Sequence, residues 1–188
     1  MIDAPRADTL RGKRDRGLLA VLLGCGLRRS EVVHLTVEHL QRREDHWAIV
    51  DLVGWAIVDL VGKGGHVRTV PVPDWVKARV DDWMQASGNS SGCLFRSINK
   101  RGIVWGSGLT EKVVWYVVKN FAKLVAIEKV APHDLRRTCA RLCQVAGGKL
   151  EQIQFLLGHV SVQTTERYLG CKQKIKGAVN DSIGIEPL

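Results

Sequence analysis

The 188-residue chain has no apolar run approaching the ~20 residues needed to cross a bilayer. Its opening stretch, MIDAPRADTLRGKRDRG, carries charge where a secretion signal would need continuous apolar residues, so a cytoplasmic protein is expected. Cysteine is too scarce and too irregularly spaced for a disulfide framework: five, an odd number, point to reduced thiols. Acidic residues are in deficit, 19 Asp and Glu against 28 Lys and Arg, leaving a net charge of +9. Such an excess attracts polyanions, most commonly nucleic acid, through phosphate contacts and counterion release. Charge alone does not separate a nucleic-acid protein from a merely basic one. What is present, 45% hydrophobic and 25% charged residues, supports one globular domain, or a domain and a tail, with a real core.

The pattern along the chain is mainly helical. RDRGLLAVLLGCG (14–26) reads as a buried helix stopped by Gly24 and Gly26. SEVVHLTVEHL (30–40) places Val33, Val37 and Leu40 on one stripe and predicts a second helix. From 47 to 72 β-branched residues flank GKGGH, the pattern of a hairpin with a glycine-rich turn. Asp74 is expected to cap a helix whose inward residues are Val76, Val80, Trp83 and Met84. SGNSSG (87–92) is a loop, and Thr110 caps a long helix through EKVVWYVVKNFAKLVAI. HDLRRTCARLCQVAGG, LEQIQFLLG and VQTTERYLG, the last opened by Ser161, are three more helices. The fold class is therefore mainly α with a small antiparallel β-sheet. Residues 1–170 form the domain and 171–188 a basic tail.

One feature has no counterpart elsewhere in the chain: WAIVDLVG occurs twice without a difference, from Trp47 to Gly62. Strand side chains alternate with a period of two, so eight inserted residues leave every later side chain on its original face. In a helix the same insertion would rotate the remainder by roughly 80°. The second copy adjoins the turn bearing Lys63, so it is expected to hold the native register while the first bulges out upstream.

Four motifs follow one another: GCGLRRSE with Arg28 and Glu31, the turn with Lys63, HDLRRT with His133 and Arg136, and LLGHVSVQTTERYL with His159 and Tyr168. His133 and Arg136, three apart on a helix, face the same way. Arginine forks can hold the non-bridging oxygens of a phosphate and neutralise transition-state charge. A hydroxyl nucleophile needs a base, and a leaving alkoxide needs an acid. On these motifs the chain resembles the catalytic domain of the tyrosine recombinase (phage integrase) family, over residues 12 to 170.

The resemblance implies site-specific recombination or integration of double-stranded DNA through a 3′-phosphotyrosine intermediate, with neither metal nor ATP and no other cofactor. Arg28 and Arg136 would clamp the scissile phosphate and His159 would donate a hydrogen bond to it. Tyr168 would be the nucleophile, His133 would assist its proton transfer, and Lys63 would protonate the departing 5′ oxygen. Glu31 would buttress its neighbours, and Lys63, His66 and Arg68 would contact DNA. The family usually carries an N-terminal helical clamp domain, expected to be absent here, and works as a homotetramer on paired sites. Cys139 and Cys143 are expected to be core residues. Two other readings stay open: relaxation of DNA in the manner of a type IB topoisomerase, and a decayed or non-catalytic DNA-binding protein.

Overall fold

A computed structural model describes residues 1–54, 66–127 and 129–171. The central element is α1 (Leu10–Gly24), which starts earlier than its apolar run because Thr9 caps it, its hydroxyl accepting from the Gly12 amide at 3.0 Å. Leu18, Leu19, Ala20, Val21 and Leu22 are all buried, so this second half of the helix is covered on every side by the rest of the chain. Each fully buried leucine there contributes about 1.5–3 kcal/mol.

The second helix is much shorter than its stripe predicted: α2 spans Arg29–His34. Leu35 turns extended (φ −66°, ψ 128°), its carbonyl accepts the Leu94 amide at 2.7 Å, and Thr36 bridges to Cys93. Val33, Val37 and Leu40 do pack on the core, but along a bent chain that enters strand β1 (Leu40–Arg43).

Strand β2 (His46–Gly54) lies between β1 and β3 (His66–Val72), antiparallel to both. This register corrects the expectation about the repeat: the first WAIVDLVG copy, 47–54, occupies the strand. Trp47 faces Val72, Ile49 faces Val70 and Gly54 faces His66 on one side, while Ile49 faces Leu40 and His46 faces Arg43 on the other. The unforeseen β1 is the cause. Glu44, at φ 51°, turns β1 directly into β2, so the first copy is pinned from its N-terminal side before β3 is reached. One extra residue between Ile49 and Leu52 makes a bulge, where the Val50 amide donates to the His39 carbonyl at 2.9 Å. The second copy and Lys63 lie outside the described residues.

Helix α3 (Asp74–Ser87) buries Val76, Val80 and Trp83 against α1, and the Trp83 indole N–H donates to the Leu94 carbonyl at 2.7 Å. Asp74 is its first residue rather than its cap, which falls on Pro73 with no side-chain bond. A small hairpin, β4 (Ser97–Ile98) with β5 (Val104–Trp105), was not foreseen. Thr110 does cap α4 (Glu111–Leu124), which stops short of Ile127 where Ala126 adopts φ 58°. Next come α5 (Pro132–Val145), α6 (Leu150–Leu157) and α7 (Val162–Leu169), the last capped by the Ser161 hydroxyl as expected. Ala140, Ile153, Leu157 and Leu169 form a second apolar cluster that seats α7 on α5 and α6. Cys139 is buried, as expected of a core residue, and Cys143 packs on this cluster. Among the described residues no helix is long and apolar enough to cross a membrane.

Candidate active site

The ends of α1 and α6, the starts of α2 and α5, strand β3 and helix α7 bring the motif residues together. At the end of α1, Gly26 adopts φ +60°, and a Cβ there would meet the Cys139 sulfur at 3.3 Å, so glycine is needed for conformation and for space. The turn buries Leu27 and leaves Arg28 at the start of α2. Glu31, one turn on, accepts the Arg28 amide at 2.7 Å and the Arg28 Nη1 at 2.9 Å. Arg68, from β3, closes on the same carboxylate with both terminal nitrogens, at 2.7 and 2.9 Å. The Glu31 side chain is 1% exposed. Burial alone would raise its pKa; the Arg68 fork, with Arg28, outweighs that and holds it below the usual carboxylate range.

Arg136 is the buried centre of the site, 2% exposed. It lies one turn past His133 on α5, whose start is fixed by Pro132 and by Asp134 accepting the Ala131 amide at 2.9 Å. Its Nη1 donates to the Gly26 carbonyl and its Nη2 to the Leu157 carbonyl, so one guanidinium ties the ends of α1 and α6 together. Burial, followed by repulsion from Arg28, pulls its pKa down to about 10, which leaves it protonated at neutral pH.

Gly158 ends α6 at φ +62° and presents only hydrogen to Arg68, whose Cδ would lie 2.8 Å from a Cβ. His159 follows, its Nδ1 3.0 Å from the buried Thr165 hydroxyl. Burial first, then Arg136, Arg28, Arg68 and His133, push its pKa down to about 4, so the ring is neutral at pH 7. In the tautomer where Thr165 donates to Nδ1, the ring proton is on Nε2.

Tyr168 stands between the two histidines. Its ring centroid is 5.4 Å from that of His133 and 5.2 Å from that of His159, both edge to face. The hydroxyl is buried and has no hydrogen-bond partner among the described residues. Burial raises its pKa, while Arg136 and Arg137 pull the other way. His133 is lowered by burial and by the same two arginines. Beside this group opens a cleft of about 380 Å³ lined by Arg28, Arg29, Ser30, Trp115, His133 and Arg136. Glu111 lines it too and pairs with Arg29 at 2.7 Å, which leaves Arg28 and Arg136 as the guanidinium groups that make it a place for an anion.

The structure thus gathers Arg28, Glu31, His133, Arg136, His159 and Tyr168. Lys63 lies outside the described residues, as does the side chain of His66. Arg68 is directed inward to Glu31 rather than toward solvent, its side chain 9% exposed. Sequence reasoning missed that fork, the Thr165 partner of His159, and the contact of Arg137 with the Tyr168 ring. The second threonine of TTERY, one turn before the tyrosine, was the available signal for Thr165.

Residues 1–174 match the phage integrase family, and the chain belongs to it. It is 31% identical over 175 residues to the tyrosine recombinase XerD of Pseudomonas aeruginosa, covering 89% of this chain and 53% of that protein. It is 30% identical over 176 residues to the tyrosine recombinase XerA of Pyrococcus furiosus, covering 93% and 57%. The chain spans about half the length of the curated relatives it matches. The same fold occurs in the XerH site-specific recombinase bound to its difH substrate, with a TM-score of 0.70 at 19% identity over 98% of this chain and 50% of that one. It occurs also in XerA recombinase, with a TM-score of 0.68 at 23% identity over 91% and 57%.

Proposed function

We propose that this chain is the catalytic part of a site-specific DNA recombinase that cuts and rejoins strands through Tyr168. The observation that carries the reading is the Tyr168 hydroxyl: buried, without a partner among the described residues, and flanked by two histidines beside an arginine-rich cleft. A phosphodiester in that cleft would receive Arg28 and Arg136 on its non-bridging oxygens and the His159 Nε2 proton as a further donor. Tyr168 attacks phosphorus, its proton leaving by way of His133. The P–O5′ bond breaks as the tyrosine–phosphorus bond forms, and the 5′ oxygen takes a proton from Lys63. The 3′-phosphotyrosine keeps the energy of the broken ester, so a 5′ hydroxyl from either strand reverses the step. Residues 1–170 form the catalytic domain in this reading, with residues 171–188 as a tail. The partner is double-stranded DNA, four copies assemble on two paired sites, and the protein acts in the cytoplasm.

The test is covalent trapping on nicked duplexes with a randomised core at low salt. One half of the pool carries ordinary phosphodiesters and the other a bridging 5′ phosphorothiolate, whose sulfur leaves without an acid. Adducts that disappear in Tyr168→Phe establish the reaction. Equal labelling of both proteins, or none on either substrate, refutes it.

A further inference from the structure

Tyr168 has a third neighbour that the reaction above leaves unused. The Arg137 guanidinium carbon lies 5.3 Å from the centre of the Tyr168 ring, within reach of a cation–π contact. Arg137 follows Arg136 directly, yet the two differ completely in setting. Arg136 is buried and committed to two backbone carbonyls, whereas Arg137 is exposed and has no hydrogen bond or ion pair among the described residues. Asp134, one turn earlier and the nearest acidic candidate on α5, is occupied with the Ala131 amide. Two rings and one guanidinium therefore enclose the phenol, and the guanidinium, like the exposed His133, also faces solvent.

We propose that Arg137 is a positioning residue for Tyr168: its guanidinium seats the ring between His133 and His159 and stabilises the phenolate that develops as the proton leaves. This rests on Tyr168 as the nucleophile. The physical case has two parts. A buried hydroxyl without a partner has nothing local to orient it, so ring contacts must set its direction. Deprotonation also places negative charge on a half-buried ring whose oxygen is shielded from water, and a cation already beside it lowers that cost. The charged and titratable groups around Tyr168 are Arg136, Arg137, Asp134, Arg28, His133 and His159. Of the cations among them, Arg137 alone has no other commitment: Arg28 serves Glu31 and Arg136 serves the backbone. An arginine that merely lies along the helix surface would leave the phenol's titration unchanged when replaced.

The chain has two tyrosines, Tyr116 and Tyr168, and Tyr116 is exposed on α4. A Tyr116→Phe background therefore makes Tyr168 the sole phenol, readable by ultraviolet phenolate absorbance without DNA. In that background Arg137→Gln should raise the Tyr168 titration midpoint by about one pH unit and slow phosphorothiolate trapping about tenfold, while Arg137→Lys retains most of both. An unchanged midpoint in Arg137→Gln would overturn the proposal, whatever the trapping rate. A raised midpoint without any adduct from the parent protein would support the hold on the phenol and refute the recombinase reading instead.

Discussion

Replacing Glu31 by glutamine keeps the shape of the side chain and removes its charge. Each carboxylate oxygen receives two donors: Oε1 takes Nη1 of Arg28 and of Arg68, and Oε2 takes the Arg28 amide and Arg68 Nη2. Whichever oxygen becomes the NH2 group, two donors face a donor. Hydrogen bonds to charged groups contribute about 1.5–3 kcal/mol each, and breaking a buried ion pair costs about 3–5 kcal/mol. Arg28, 27% exposed, recovers some hydration; Arg68, 9% exposed, recovers little. The expected loss at pH 7 is thus about 3–5 kcal/mol, a fall of about 2 M in the urea midpoint. The pH dependence follows from the depressed carboxylate pKa. Its stabilisation is present above the unfolded value near ~4.3 and is lost as pH falls through the lower folded value. The gap between parent and variant should persist from pH 7 to about 5 and shrink toward pH 3. A variant within about 1 kcal/mol of the parent at pH 7, or a gap of equal size at pH 3, would refute the account.

Gly158→Ala should cost about 1–2 kcal/mol in denaturant unfolding, from the left-handed φ and from the displacement of Arg68 off Glu31. Parent stability should fall as pH drops from the unfolded histidine value near ~6.5 toward about 4, because the unfolded chain binds the proton that half-buried His159 refuses. His159→Asn should flatten that slope, and an unaltered slope would show that other groups carry it. Deleting residues 55–62 leaves Lys63, Gly64 and Gly65 to join the paired Gly54 and His66. That shorter closure should raise stability by about 1 kcal/mol and increase trapping on ordinary DNA relative to the phosphorothiolate. Unchanged values on both counts would mean that the repeat is neutral for Lys63.

The sequence was informative wherever a residue acts on its immediate neighbours. Thr110 and Ser161 could be read as caps because the amide each accepts lies three residues on. His133, Arg136, His159 and Tyr168 could be read as a set because they lie in two short motifs, one opening α5 and the other running from the end of α6 to the end of α7. Residues 30–40 were misread because Val33, Val37 and Leu40 fit a helical stripe and a bent chain equally well. The Leu94 amide, far along the sequence, decides between them by taking the Leu35 carbonyl. Arg68 shows the same limit: its partner Glu31 lies 37 residues away. Two identical octapeptides carry no local information about which one pairs, and the answer lay in β1, which the helical reading had hidden.

The turn between β1 and β2 also makes the order of synthesis matter. A ribosome adding about 5–20 residues per second takes roughly 0.4–1.6 s to make the second octapeptide, whereas hairpins form in about 1–10 μs. β1 and the first copy have thus sampled their pairing many times before a rival of identical sequence exists. When β3 emerges it meets the free edge that the earlier copy already presents. Of two strands of equal intrinsic affinity, the one joined to β1 by the shorter turn has the smaller closure cost, and the pairing of the first copy with β1 and β3 follows that ranking.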